Sequence, residues 1–435
     1  MINLSLEFNF QELGNISDIK GGKRLPKGHN LINIPNSHPY IKVKDMSQDK
    51  LLKLTNDFEY IEKDTYDEIS QYIVKKDDLI ISIVGTIGLT NIIDYSLDNA
   101  NLTENCAKIT NLNDEYNIEY IYYFLNSMIG QNLVHEATVG AVQKKLPIKN
   151  IRSLNIPFPN LDIQNKIVKV LSDIDKKIET NKRINKNLLK LSRALFKEFY
   201  MDKVESYDIK KYVTLDEVTS KFATGLNPRK NFVLGEGDNY YVTIKNMANN
   251  SIVLDDKCAS ITDEALVKIN KRSDLQVGDL LFSGIGTIGR VHLIDEKPTN
   301  WNISESVFTM RPNELVSSEF LFIMLLSQEV QEYAKSLASG SVQKGIRMRD
   351  LKAFEFILLD EEDKSFLDSL LIPVIADIKS NEKEIIKLTK LRDTLLPKLM
   401  SGEIDVSKIN CDDFLFVKII HITTLILRYL IEEII

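Results

Sequence analysis

At 435 residues the chain is longer than a single hydrophobic core usually serves, so two or three domains are expected. Its 43% hydrophobic and 27% charged residues are the composition of a globular protein, and no low-complexity run argues for disorder. A net charge of −7 excludes a protein that coats nucleic acid through bulk positive charge, because that mode of binding is phosphate neutralisation; only a local basic face remains.

In chain order, residues 1–10 carry Glu7 and lack the basic and apolar regions of a signal peptide, so export is not expected. The first basic loop is Lys20, Lys23, Arg24 and Lys27 around Gly21-Gly22, for which DNA proximity and plain solvent exposure are equally good accounts. Next, Tyr40-Ile41-Lys42-Val43-Lys44-Asp45-Met46 reads as a strand in which Lys44 faces either DNA or solvent. A β-rich run at 79–84 then leads into Gly85-Thr86-Ile87-Gly88. That run lacks the Gly-Lys-Ser/Thr ending of a phosphate-binding loop. It is either a purely structural turn or one that also presents Thr86 or a backbone amide to DNA.

A helix-like stretch at 118–125 marks each domain as mixed α/β, and Gly140-Ala141-Val142-Gln143-Lys144 follows, with Lys145 and Lys149 beyond. Amide and cationic side chains are the types that read adenine and guanine edges or hold phosphate, so Gln143, Lys144 and Lys145 are candidate DNA contacts, with a solvated basic loop as the alternative. After Ile156-Pro157-Phe158-Pro159-Asn160, where the prolines forbid helix and Asn160 can cap, a helix runs to about Tyr200, ~60 Å at 1.5 Å per residue. Its stripe is Ile167, Leu171, Ile174, Ile178, Asn181, Leu188 and Leu195, in a three-then-four spacing.

Everything then repeats, 200 to 202 positions on. A second basic loop holds Arg229 and Lys230; Tyr241-Val242-Thr243-Ile244-Lys245-Asn246-Met247 matches the segment at 40–46; and Gly286-Thr287-Ile288-Gly289, followed by Arg290, matches the turn at 85–88. Gly340-Ser341-Val342-Gln343-Lys344, followed by Arg347 and Arg349, matches the segment at 140–144. The second stripe is Leu367, Leu371, Val374, Ile378, Asn381, Leu388 and Leu395. Asn181 and Asn381 fall at equivalent points, where an asparagine costs stability but fixes register. This second helix is expected from about Glu361 to Met400, kinked by Pro373 and Pro397. Residues 414–435 are strongly apolar but carry Lys418, His421, Arg428, Glu432 and Glu433, and read as an extra amphipathic helix or strand pair, with a membrane-associated tail as the lesser alternative.

Neither stripe is covered within its own neighbourhood, so the two helices are expected to pair. The fold class is therefore α+β, with two mixed α/β domains joined by two long antiparallel helices under a pseudo-two-fold internal repeat. The domain bounds are 1–160 and 204–360, with helices at 161–203 and 361–405 and a tail at 406–435 of unknown role. Successive readable faces of B-DNA lie ~34 Å apart, a separation that such helices can span. The five histidines show no metal-ligand spacing, Cys106, Cys258 and Cys411 form no CxxC, and no paired carboxylates or Asn-Pro-Pro-Tyr run appear. Catalysis and metal binding by this chain are not expected, and the cysteine usage suits a reducing, cytoplasmic setting.

On Leu391-Arg392-Asp393-Thr394-Leu395-Leu396-Pro397-Lys398-Leu399-Met400-Ser401-Gly402-Glu403-Ile404, on Ile156-Pro157-Phe158-Pro159 with Gln164 and Ile167, and on the duplicated plan over residues 11–405, the chain resembles the specificity (S) subunit of type I restriction-modification systems. The resemblance implies two target recognition domains reading a split DNA site, helices that act as spacer and bind two methyltransferase (M) subunits, and restriction/motor (R) subunits beyond. It places S-adenosylmethionine, ATP and Mg in those partners and none in this chain, with no membrane partner. Two departures stand out: the second copy has Phe354-Glu355-Phe356-Ile357-Leu358-Leu359 in place of the proline-rich hinge and lacks a counterpart of Gln164, and the tail after Val406 is unlike the family's usual ending. The rival reading is a duplicated coiled-coil adaptor that pairs proteins without touching DNA.

Overall fold

The computed structural model describes residues 7–47, 49–141, 143–248, 250–255, 257–340 and 344–408; Gln343 and the apolar segment at 414–435 lie outside them. The chain divides into two compact units, Met1–Ile178 with Lys387–Ile435, and Glu179–Ile386.

In the first unit a five-stranded sheet runs in the order Asp18–Gly21, Cys106–Thr110, Leu79–Ser82, Thr90–Ile93, Leu51–Leu52. Its pairs are antiparallel apart from the last. Leu79, Ile80 and Ile81 are all fully buried, so this strand reads as a continuous apolar run because both of its faces are covered. On one face lie the helices Ile118–Asn126 and Met128–Glu136, started by the side chains of Asn117 and Ser127, which accept from the first backbone amides. A ribbon pairs Asn9–Glu12 with Asn155–Phe158 and delivers the chain to the first long helix, Leu161–Ser206. Asn160 caps that helix, its Oδ1 accepting from the Ile163 amide at 3.0 Å.

The second unit repeats the plan. Its four-stranded antiparallel sheet is Thr219–Thr224, Val307–Pro312, Leu280–Ser283, Val291–Leu293. The helices Ser318–Leu325 and Gln328–Ser336 cover it. The altered hinge still forms a ribbon, Tyr212–Thr214 with Glu355–Ile357, but it is tied differently. In the first unit Gln164 accepts from the Asn117 amide and donates to the Pro159 carbonyl. In the second, the Tyr200 hydroxyl serves Ile357 and the Tyr207 hydroxyl donates to Asp363. Tyr200 of the first long helix and Tyr207 just beyond its end replace one glutamine.

The second long helix, Glu361–Met400, is continuous through Pro373 and Pro397. Within the second unit Asn181 meets Glu384 and Lys203 meets Asp363, so the helices run antiparallel. Within the first, Asp175 meets Arg392 in the same sense.

The buried face of each helix departs from the strict seven-residue stripe. Ile167, Leu171, Ile174, Ile178, Asn181, Leu367, Leu371 and Ile378 are buried, whereas Leu188, Leu195, Val374, Asn381, Leu388 and Leu395 are half-buried. Next to those partly exposed positions, Phe196, Ile375 and Leu396 are buried, whereas Ser192 and Leu399, also buried, stay on the seven-residue count from Ile178 and Ile378. A straight helix drifts by ~20° per heptad, and here the burial steps over by one residue at Phe196, Ile375 and Leu396. Leu396, Leu399 and Met400 join the core of the first unit with Ile163, Ile167 and Leu171. Phe196, Tyr200 and Val204 join that of the second with Leu367, Leu371 and Ile375. Each fully buried side chain of this kind contributes about 1.5–3 kcal/mol.

Candidate nucleic-acid interface

Two segments that lie far apart in the sequence become neighbours in each unit. The Gly-Thr-Ile-Gly run is a tight turn at the end of the Leu79–Ser82 or Leu280–Ser283 strand, with Gly85, Gly88, Gly286 and Gly289 all at positive φ. The serine before it holds the turn. Ser82 Oγ donates to the Thr86 carbonyl at 2.6 Å and accepts from the Leu89 amide at 2.9 Å; Ser283 does the same with Thr287 at 2.6 Å and Arg290 at 2.8 Å.

The Gln/Lys loop returns antiparallel onto this turn. Lys145 bridges both Val84 and Val139, and the Leu146 amide donates to the Ile83 carbonyl at 2.9 Å. In the second unit Gly345 bridges Ile285 and Ser339, the Gly286 amide donates to Lys344 at 2.8 Å, and the Ile346 amide donates to Gly284 at 2.9 Å. Thr86, Gln143, Lys144 and Lys145 are all exposed, as are Thr287, Lys344, Arg347 and Arg349 in the second unit. Arg349 also pairs with Asp350 at 3.3 Å.

The first basic loop abuts the same surface of the first unit through the turn at 103–105. The Gly22 amide donates to Cys106, the Lys23 amide to Leu102, and the Ile83 amide to Asn105. Lys20 is paired with Asp18 at 3.1 Å, Lys23 lies over the Tyr72 ring at 5.6 Å, and Arg24 meets Glu104 at 2.7 Å. Burial raises the Glu104 carboxyl, but hydrogen bonds from Arg24 and Thr103 outweigh it and hold the group below the usual carboxylate range. A hollow of about 400 Å³ opens here, lined by Arg24, Leu25, Tyr40, Lys42, Val43, Lys44, Thr103, Glu104 and Asn105. Lys42 and Lys44 share Glu59, and burial, reinforced by Lys44, pushes the Lys42 ammonium down to about 8.

Lys44 and Lys245 are not on strands. The strands end at Ile41 and Val242, and the lysines sit in 3-10 turns, Val43–Asp45 and Ile244–Asn246. The cause is local: Asp45 and Asn246 accept from the Lys42 and Thr243 amides at 2.8 and 3.0 Å, and so turn the chain. Both lysines remain exposed, as do Arg229 and Lys230 on a turn capped by Asn227. Arg290 is not free for DNA through its Nη1, which donates to the Ile244 and Met247 carbonyls at 2.6 and 2.5 Å and braces that turn instead.

Sequence reasoning passed over two repeated side chains. Glu305 stands 201 positions after Glu104, in Asn302-Ile303-Ser304-Glu305 against Asn101-Leu102-Thr103-Glu104. It accepts from Asn227 at 2.9 Å and Tyr241 at 2.8 Å, pinning the second basic loop as Glu104 pins the first. Gln131 and Gln331 approach the two glycine turns from the neighbouring helix. Both pairs keep the offset of the longer matches and could have been found from it.

Among the described residues no group of His, Cys, Asp and Glu is arranged to hold a metal ion, and no helix is long and apolar enough to cross a membrane. Two congruent domains, each presenting a serine-locked turn beside a basic loop, define a duplicated binding protein. The chain belongs to the family of the type I restriction modification DNA specificity domain, whose profile matches residues 6–190 and again 208–389. The type I restriction enzyme MjaIX specificity subunit of Methanocaldococcus jannaschii is 23% identical over 390 residues, covering 85% of this chain and 88% of that protein. The EcoBI specificity subunit of Escherichia coli is 23% identical over 364 residues, covering 77% and 75%. Among solved structures, the crystal structure of the type I restriction-modification S subunit from M. genitalium shares the fold, with a TM-score of 0.54 at 18% identity over 92% of this chain and 97% of that one.

Proposed function

We propose that this non-catalytic DNA specificity subunit reads a bipartite, asymmetric target, one half with each globular domain. The observation that carries the reading is the repeated juxtaposition of an exposed threonine turn and an exposed Gln/Lys or Lys/Arg loop, built on the same backbone ladder in both units. A common frame with different side chains suits two different half-sites. The surrounding cations supply phosphate contacts, while Gln143 and the threonines supply groups able to meet base edges.

The reading domains are residues 1–160 and 204–360. The helices at 161–203 and 361–405 are the spacer and the docking surface for two methyltransferase subunits, with restriction/motor subunits joining beyond them. S-adenosylmethionine, ATP and Mg act in those partners, and the complex works in the cytoplasm. Membership of the specificity family favours this over an adaptor that never touches DNA.

The deciding experiment is co-expression of the chain with its methyltransferase subunit, followed by methylome sequencing. One split motif with a fixed gap is expected, and a heptad inserted after Lys190 should change the gap while leaving both half-sites intact. No methylation by the complex, or altered half-site bases after the insertion, would overturn the proposal.

A further inference from the structure

Each Gly-Thr-Ile-Gly turn has a support besides its serine. Gln131, one turn into the helix Met128–Glu136, donates through Nε2 to the Gly88 carbonyl at 3.1 Å and to the Leu125 carbonyl at 2.7 Å. Gln331, in the helix Gln328–Ser336, donates to Gly289 at 2.9 Å and to Leu325 at 2.8 Å. Leu125 and Leu325 stand at the ends of the preceding helices, where backbone carbonyls lack an intrahelical partner. One side-chain amide therefore joins a helix terminus to the turn.

This task selects the side chain. A primary amide offers two N–H donors from one uncharged nitrogen; a carboxylate offers none, and a thioether none. It suits the turn residue as well. A Cβ on Gly88 would lie 3.0 Å from Gln131 Oε1 and one on Gly289 2.0 Å from Gln331 Oε1, so the amide packs closely against turn residues whose positive φ already favours glycine. The two helices are otherwise unrelated. Aligned as MIGQNLVHE and QEVQEYAKS, they share the glutamine and no other residue. Helix formation does not demand glutamine at that place, and the contact to the turn does.

We propose that Gln131 and Gln331 are positioning residues for target recognition, each holding the turn that carries Thr86 or Thr287 in the conformation that meets DNA, and each thereby governing one half of the target. The inference rests on the reading of those turns as DNA-facing. Neither glutamine needs to touch DNA. Each limits how far its turn can move away from the Gln/Lys loop beside it, so that threonine and cations meet one DNA groove as a set.

The test uses the full chain assembled with its methyltransferase subunit. Gln131→Met and Gln331→Met keep the length of the side chain and remove both donors. Methylation kcat/KM is measured on the cognate target and on targets with single-base changes confined to one half. Gln131→Met should lower discrimination about tenfold in one half and leave the other unchanged, and Gln331→Met should do the reverse, the loss expected when a few hydrogen bonds no longer fix a contact. An equal loss over both halves, no loss, or a loss accompanied by a lowered unfolding midpoint of the complex overturns the inference. If Gln131→Met does not fold, Gln131→Glu, which has the same shape and no N–H, carries the same expectation.

Thr86→Val and Lys145→Ala separate the two levels. If they leave both halves unaffected, the DNA-facing reading of the turn fails. If they weaken one half and the glutamine variants do not, only the positioning role fails.

Discussion

Asn381 donates its side-chain amide to Oδ1 of Asn185 at 2.8 Å, and Asn185 in turn donates to the Ile378 carbonyl at 3.0 Å. The two asparagines at equivalent points of the repeat, Asn181 and Asn381, are thus not each other's partners in this pairing; Asn181 donates to Glu384 at 2.7 Å. A polar layer of this kind costs stability and fixes register. Asn381→Leu should destabilise the second unit by about 1–2 kcal/mol by stranding an acceptor, and Asn185→Leu with Asn381→Leu should recover most of that loss. Urea unfolding followed by the fluorescence of Trp301, the single tryptophan and a residue of the second unit, measures the cycle. A coupling below about 0.5 kcal/mol would show that the pair does not act together.

In the first unit Asp175 is held from both sides, by the Tyr123 hydroxyl at 2.6 Å and Arg392 Nη1 at 3.0 Å. Its side chain is only 16% exposed, so Arg392→Ala leaves a largely buried carboxylate without its cation, at a cost of about 3 kcal/mol. Hydrogen exchange over the helix Ile118–Asn126 should accelerate markedly. Unchanged protection there would mean that the ion pair does not anchor the helix.

His292 gives a pH prediction. Burial, with Lys379 nearby, pushes its imidazole down to about 3, against smaller opposing effects of the Asn250 hydrogen bond and Asp295. Nδ1 lies 2.7 Å from the Asn250 carbonyl, which can only accept, so Nδ1 carries the proton of the neutral ring. Between about 3 and 6.5 the unfolded chain binds a proton that the folded one does not, so this group makes stability fall as pH falls through that window, at about 1.4 kcal/mol per unit. The corresponding residue of the first unit is Asn91, which donates to the Asp49 carbonyl at 2.6 Å. His292→Asn should therefore keep the hydrogen bond and flatten the slope, as read from unfolding midpoints at pH 4, 5 and 6. An unaltered slope would assign the dependence to other groups.

Salt dependence tests the basic loops. Lys144→Ala and Lys344→Ala should each reduce the slope of log K against log salt by about 1 and weaken binding to all sequences alike. Gln143→Ala should leave the slope untouched and relax selectivity at one position. Were Gln143→Ala to weaken cognate and non-cognate DNA equally, it would be a backbone contact.

The duplicated plan was legible because strands, turns and helix stripes are local patterns, and a second copy at a constant offset checks the first. Adjacency was not. Nothing in Val84 or Lys145 announces that they pair, since that bridge joins segments about sixty residues apart. The strand expected through Lys44 failed on one carboxylate, because Asp45 captures the Lys42 amide and ends the strand early. The stripes failed at single steps in each helix, where a seven-residue count names Leu195 and Val374 while the helix has turned the next residues, Phe196 and Ile375, inward. Arg290 looked like a DNA contact by its neighbourhood, and the carbonyls of Ile244 and Met247 had already claimed its Nη1.

The core of the first unit is completed by Leu396, Leu399, Met400 and Val406. These residues leave the ribosome only after the whole second unit has been made. The first domain to be translated is thus the last able to close its core, and a chain broken off early presents an open apolar surface to proteases rather than a half-reader.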